Sequence, residues 1–148
     1  MAVYPVLSIS EPLLSQKSAP VTEFNSEILD LIKNLQDTLM VEGGVGLSAV
    51  QIGVPVQVFV TYIDGIKKVY INASWVTTPR SVLVEKYEGC LSDKGNYLFV
   101  SRFDKIKVTY QDPHGTTWTD TATGLKAQCI QHEIDHAWGV LMTSKGHK

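Results

Sequence analysis

Near the end of the chain, residues 132–136 read His-Glu-Ile-Asp-His. No other stretch constrains the fold as much as this H-E-x-x-H pattern. It carries chemistry only on a helix, where each residue turns by about 100°. His136 then projects on the same face as His132, about 40° away. Two imidazoles so placed can bind one ion through neighbouring corners of its coordination shell, which points to a catalytic metal. Glu133 lies to the same side, where it can stand beside a metal-bound water as a general base without ligating the ion. At this composition, on the order of 0.005 such matches are expected by chance. A catalytic ion usually takes three protein ligands. No Asp or Glu follows Asp135, and the longer H-E-x-x-H-x-x-G-x-x-H pattern reaches Gly139 but fails at Met142. The fold must therefore bring an upstream segment against a helix near the C-terminus.

Candidates for the third ligand are few. His114 sits in the turn Asp112-Pro113-His114-Gly115, and His147 lies in the tail. Cys129 precedes His132 by one helical turn, but three ligands from one straight helix leave poor tetrahedral angles. Its expected role is a small wall of a pocket beside the site. Cys90 lies in Glu88-Gly89-Cys90-Leu91-Ser92, just after a predicted strand, where Gly89 permits a sharp backbone approach. On geometry Cys90 is the better ligand.

The rest of the chain reads as α+β. The first 24 residues hold Pro5, Pro12 and Pro20 and suggest an extended arm over a core. Asn25 can cap a helix with apolar residues at Ile28, Leu31, Ile32, Leu35 and Leu39, ending at Gly43-Gly44. Strands are expected over 56–63 and 66–71, joined by the hairpin turn Asp64-Gly65, then over 82–87, 97–100, 106–110 and 116–119. Thr121 or Thr123 can open the metal-binding helix, which runs to about Trp138. The order implies two helices packed on largely antiparallel strands. With 148 residues a single domain is expected over 1–148.

A net charge of −2 implies no field for nucleic acid or anionic lipid. No apolar run is long enough to span a bilayer, and Met1–Pro5 lacks the features of a signal peptide. A cytoplasmic protein with two reduced cysteines is expected.

Three stretches now stand together: Gly44-Val45-Gly46-Leu47-Ser48-Ala49-Val50-Gln51, Glu88-Gly89-Cys90-Leu91-Ser92 and Gln131-His132-Glu133-Ile134-Asp135-His136. In type and order they resemble the motifs of the peptide deformylase family, with Ser48 where the family usually has alanine. The resemblance implies that Cys90, His132 and His136 hold the metal and that Glu133 is the general base. It implies that the Gln51 side-chain amide and the Leu91 N–H face the developing oxyanion, and that Gly46 offers backbone hydrogen bonds to substrate. Val45, Tyr87, Glu88, Gly89 and Cys129 are expected around the substrate. Glu88 is also expected near the metal with Arg102 as candidate partner, and Asp135 either orients neighbouring groups or faces solvent. Ser48 is expected behind the site, with its hydroxyl on a backbone carbonyl and no effect on mechanism. The implied cofactor is Fe(II), for which Zn(II), Ni(II) or Co(II) can substitute. The implied substrate is the N-formylmethionyl end of a new polypeptide, and formate is released.

Two departures shape further expectations. The tail Thr143–Lys148 is short and polar, so it is expected to fray. Many bacterial members continue into a further helix linked to ribosome docking, which is therefore not expected here. The loop Asp93–Asn96 lacks the family's usual proline and borders the expected cleft. A monomer is expected, in a host-cell cytoplasm if the chain is virus-encoded, with an organelle left open. Two other readings compete: a peptidase cleaving internal bonds, and a structural zinc site closed by Cys90, Cys129, His132 and His136.

Overall fold

The computed structural model describes residues 2–148; Met1, part of the N-terminus read above, lies outside them. The arm precedes helix α1 (Ser26–Glu42), which leads into strand β1 (Gly46–Ser48). Strands β2 (Val58–Ile63), β3 (Ile66–Thr77), β4 (Leu83–Glu88), β5 (Leu98–Phe103), β6 (Lys105–Gln111) and β7 (Thr117–Thr123) follow, then helix α2 (Gly124–Ala137) and a short 3-10 turn (Met142–Ser144). One antiparallel sheet has the order β1-β2-β3-β6-β7, and β4 pairs with β5 in a second, two-stranded sheet. The α+β class expected from the sequence is the class observed.

The large sheet is covered on both faces. Val58 and Val60 of β2 pack with Leu31, Leu35 and Leu39 of α1. Phe59, the residue between them, packs with Ile130 and Ile134 of α2. Side chains alternate across a strand, so the two helices lie on opposite faces. This explains why β2 reads as an unbroken apolar run and not as an alternating one. Leu35 is fully buried, and truncating such a leucine to alanine typically costs about 2–5 kcal/mol.

Local signals held at several boundaries. The Asn25 side chain accepts a hydrogen bond from the Ile28 N–H at 3.2 Å, and Gly43 ends the helix at φ 73°. Asp64 and Gly65 both have positive φ, 55° and 75°, as the two-residue hairpin requires. Thr123 occupies the N-cap of α2, but its side chain makes no capping bond.

Three expectations are corrected. Gly46–Ser48, outside every expected strand, forms one in register with β2, Ser48 opposite Phe59. Strand β3 does not stop at Ile71: it bulges there and continues to Thr77, leaving β2 and pairing with β6. Asn72 makes the bulge. At φ 52°, its side chain bonds the Val21 N–H and carbonyl and Gln111 Oε1, each at 2.8 Å. The tail does not fray. Met142 is buried against Leu98, Val100 and Cys90, and His147 exchanges two backbone hydrogen bonds with Phe99 at 2.7 and 3.0 Å.

The arm lies over the core as expected. The Leu7 N–H donates to the Gln51 carbonyl and the Ile9 N–H to the Ser92 carbonyl, both at 2.7 Å. Two motif-bearing segments are thereby fastened together. Among the described residues no helix is long and apolar enough to cross a membrane.

Candidate metal centre and active-site cleft

Helix α2 is seated by Gln131, whose side-chain amide donates to the Phe103 carbonyl at 2.8 Å and accepts from the Phe103 N–H at 3.0 Å. This fixes the helix against the end of β5 and aims His132 and His136 at the segment after β4. There Cys90 completes a cluster in which three ligand atoms, one from each residue, lie within 4.8 Å of one another. His136 Nε2 is 3.4 Å from Cys90 Sγ and 3.2 Å from His132 Nε2.

Glu88 sets the orientation of His132. Its Oε2 lies 2.6 Å from His132 Nδ1, and both its oxygens take the fork of Arg102, at 2.7 and 3.0 Å. Burial pushes the Glu88 carboxyl up, but the hydrogen bonds from His132 and Arg102 outweigh this and hold it at about 2. As an ionised carboxylate Glu88 only accepts, so Nδ1 of His132 carries a proton and Nε2 faces the cluster. Burial opposes charge on His132, yet its bonds to Cys90 and Glu88 raise its pKa well above the ordinary value in the metal-free protein. A cation at the site would displace the Nε2 proton. His136 is driven the other way, first by burial and then by the charge on His132. Its Nδ1 is buried without a partner among the described residues, and its neutral ring can offer the Nε2 lone pair. Two imidazole nitrogens and a cysteine sulfur converging in this way fit a divalent transition metal.

Arg102 extends the network to Asp135 at 2.6 Å, and Lys145 reaches Asp135 at 3.1 Å. Of the two roles open to Asp135, orienting neighbours is the one observed. Glu88 lines the cleft but is spent on His132 and Arg102, so it holds a ligand more than it contacts substrate.

The other candidate ligands fall away. Cys129 is not in the three-residue cluster. Burial, then the charges of Glu133 and Glu88, push its thiol well above the ordinary value, so it stays protonated. His114, whose main-chain N–H donates to Asp112 in the β6–β7 turn, and His147, on the tail against Glu85 of β4, are not in the cluster either.

Glu133 is buried, and burial raises its carboxyl pKa, a direction that suits a base working near neutral pH. Its Oε2 stands 3.9 Å from His132 Nε2. The Gln51 amide has its orientation set by the chain: Oε1 accepts from the Ser48 N–H at 2.9 Å. Nε2 therefore points to Ser92 Oγ at 3.0 Å and toward Cys90 Sγ at 3.7 Å. Ser48 lies against a backbone carbonyl as expected, but not behind the site. Its hydroxyl lies 3.2 Å from the Glu133 carbonyl but only 2.8 Å from Glu133 Oε1, so it touches the site itself.

These groups line a cavity of about 480 Å³. Every expected site residue borders it except His136, which lies beneath. Val45 and Tyr87 are exposed at the rim, and Tyr87 stacks on Tyr97 at 5.4 Å. The loop 93–96 forms one wall, as expected. Gln128 also faces the cavity and bonds Glu88 at 3.3 Å. It lies one helical turn before His132, and that spacing was the signal for it. Ser92 as the partner of Gln51 had no local signal.

The chain matches the family described as polypeptide deformylase over residues 3–148. Peptide deformylase 1 of Bacillus cereus is 40% identical over 147 residues, covering 98% of this chain and 93% of the relative. Peptide deformylase of Maricaulis maris is 34% identical over 145 residues, covering 95% and 83%. Among solved structures, the enzyme from Thermotoga maritima superposes with a TM-score of 0.91 at 30% identity, covering 98% of both chains. That from Synechococcus elongatus in complex with actinonin superposes with a TM-score of 0.93 at 32% identity, covering 100% of this chain and 82% of that one.

Proposed function

The chain belongs to the polypeptide deformylase family, and on that premise we propose that it removes the formyl group from N-formylmethionyl polypeptides, releasing formate and a free amino terminus. One observation carries the reading. Around a single cavity, a buried carboxylate and an amide donor flank Cys90 and His132, whose side chains converge with that of His136 beside it.

Cys90, His132 and His136 would hold the metal, Fe(II) by preference with Zn(II), Ni(II) or Co(II) able to substitute. When bound it supplies Lewis acidity, polarising the formyl carbonyl and acidifying water. Glu133 takes the proton from the attacking water and returns it to the leaving amine nitrogen as the C–N bond breaks. The carbonyl oxygen gains negative charge in between, and the Gln51 Nε2 and the Leu91 N–H donate to it. Gly46, Val45 and Gly89 align the peptide backbone, and Tyr87 and Cys129 border the methionine side chain. The matched span works as one catalytic domain and as a monomer in the cytoplasm.

The test is formate release from formyl-Met-Ala-Ser by protein loaded anaerobically with Fe(II) or Ni(II), with Glu133→Ala loaded beside it. We expect turnover by the parent and a loss of about 10²–10⁴-fold in the variant at unchanged metal content. A folded, metal-loaded parent that releases no formate overturns the reading.

A further inference from the structure

We propose that Ser48 is a positioning residue, whose hydroxyl holds one oxygen of Glu133 so that the other faces the Cys90, His132 and His136 cluster. The inference rests on the deformylase reading for what Glu133 does, but on geometry for how Glu133 is held.

A glutamate reaches its carboxylate through three rotatable bonds, so burial alone does not choose which oxygen points where. Here Ser48 Oγ stands 2.8 Å from Oε1 and 3.2 Å from the Glu133 carbonyl, so its one proton favours the nearer carboxylate, and it is the only hydrogen-bond donor to this carboxylate among the described residues. Ser48 is itself buried, at 3% exposure, and β1 fixes its place through pairing with Phe59 of β2. The hydroxyl is thus presented by a sheet, not by a mobile loop. With Oε1 tethered, Oε2 is left on the side of His132 Nε2, at 3.9 Å. Gly46 leaves the room Oε2 occupies: a β-carbon added there would sit 2.8 Å from it.

The same residue steers the amide opposite. Its main-chain N–H fixes Gln51 Oε1, which sends Nε2 toward Cys90. One residue at the end of β1 therefore sets the bearing of both the base and the oxyanion donor. Any residue with an N–H would supply the tether on the Gln51 amide; the tether on Glu133 needs the hydroxyl, which also faces the Gln51 main-chain N–H as half of a capping box. Ser48→Ala removes that single oxygen, and with it the hydroxyl half of the capping box, and leaves the main-chain tether on Gln51 Oε1 in place.

The experiment compares the parent and Ser48→Ala, each loaded with Ni(II) to measured metal content, by steady-state kinetics on formyl-Met-Ala-Ser and by crystal structures. Misplacing a catalytic group can cost up to about 10²-fold, and we expect kcat to fall by about tenfold. KM should stay within about twofold, because Ser48 is buried and does not reach the substrate. The Glu133 carboxylate should occupy more than one position in the variant. A purely structural role would lower thermal stability and leave kcat unmoved. A kcat within about twofold of the parent's overturns the proposal, as does a carboxylate that keeps its single position. A parent that releases no formate defeats the deformylase reading instead, and the two crystal structures then decide on Ser48 alone.

Discussion

At Gly46 the cleft has no room for a β-carbon. One placed there would meet Cys129 Sγ at 2.7 Å and Glu133 Oε2 at 2.8 Å. Cys129 is packed in place, so the carboxylate must give way. Gly46→Ala should therefore keep its fold and lose about 10²-fold in kcat, checked by formate release beside a circular dichroism melt. Glu88 gives a prediction in pH. Its folded pKa of about 2 lies below the ordinary 4.5. A depressed acid stabilises the fold above its unfolded pKa and loses that contribution as pH falls toward the folded one. Urea midpoints of the metal-free protein should thus drop between pH 4.5 and 2, and less steeply in Glu88→Gln. Glu133, raised by burial, works in the opposite sense, so the difference between parent and variant isolates Glu88. At this scale the sequence was partly legible. The spacing of His132 and His136 is a property of one helix and can be read without a fold. The contact between Ser48 and Glu133 joins positions 85 apart and depends on which strand borders α2, so the hydroxyl was misread as a bystander.

Elements with local causes were foreseen: α1 from its cap and apolar face, and the β2–β3 hairpin from Asp64-Gly65. Those decided by partners were not. Gly46–Ser48 carries no strand signal of its own and is extended because β2 offers it a ladder. The stretch Asn72-Ala73-Ser74 looks like a strand end, yet Asn72 adopts a left-handed conformation, which asparagine tolerates better than most residues. It then turns its side chain back on Val21 and Gln111. Asn72→Ala would lose three hydrogen bonds, each contributing about 0.5–1.5 kcal/mol, and strain the backbone as well. We expect a destabilisation of about 2–4 kcal/mol by urea unfolding. Asn72→Gly should recover part of it, since glycine adopts positive φ freely.

For the whole molecule, the site joins α2 to the small β4–β5 sheet, beside hydrogen bonds through Arg102, Gln128 and Gln131. An ion held only by the native arrangement stabilises it by mass action, by about 2.7 kcal/mol at a hundredfold excess over its dissociation constant. Stripping the metal with a chelator should lower the melting temperature, and adding Ni(II) back should restore it. Uptake should also release protons, because His132 carries one it must give up. Calorimetry in buffers of different ionisation enthalpy would detect this, and heats independent of buffer would contradict it. The same arrangement bears on the order in which the protein is made. Cys90 and His136 stand 46 positions apart, and both histidines follow the thiol along the chain, on α2. A growing chain can therefore present the thiol to solvent and oxidants long before it has any means of capturing an ion. Until His132 and His136 have been made and packed beside it, Cys90 is a thiol without its partner ligands, so capture of an ion by all three must follow their synthesis.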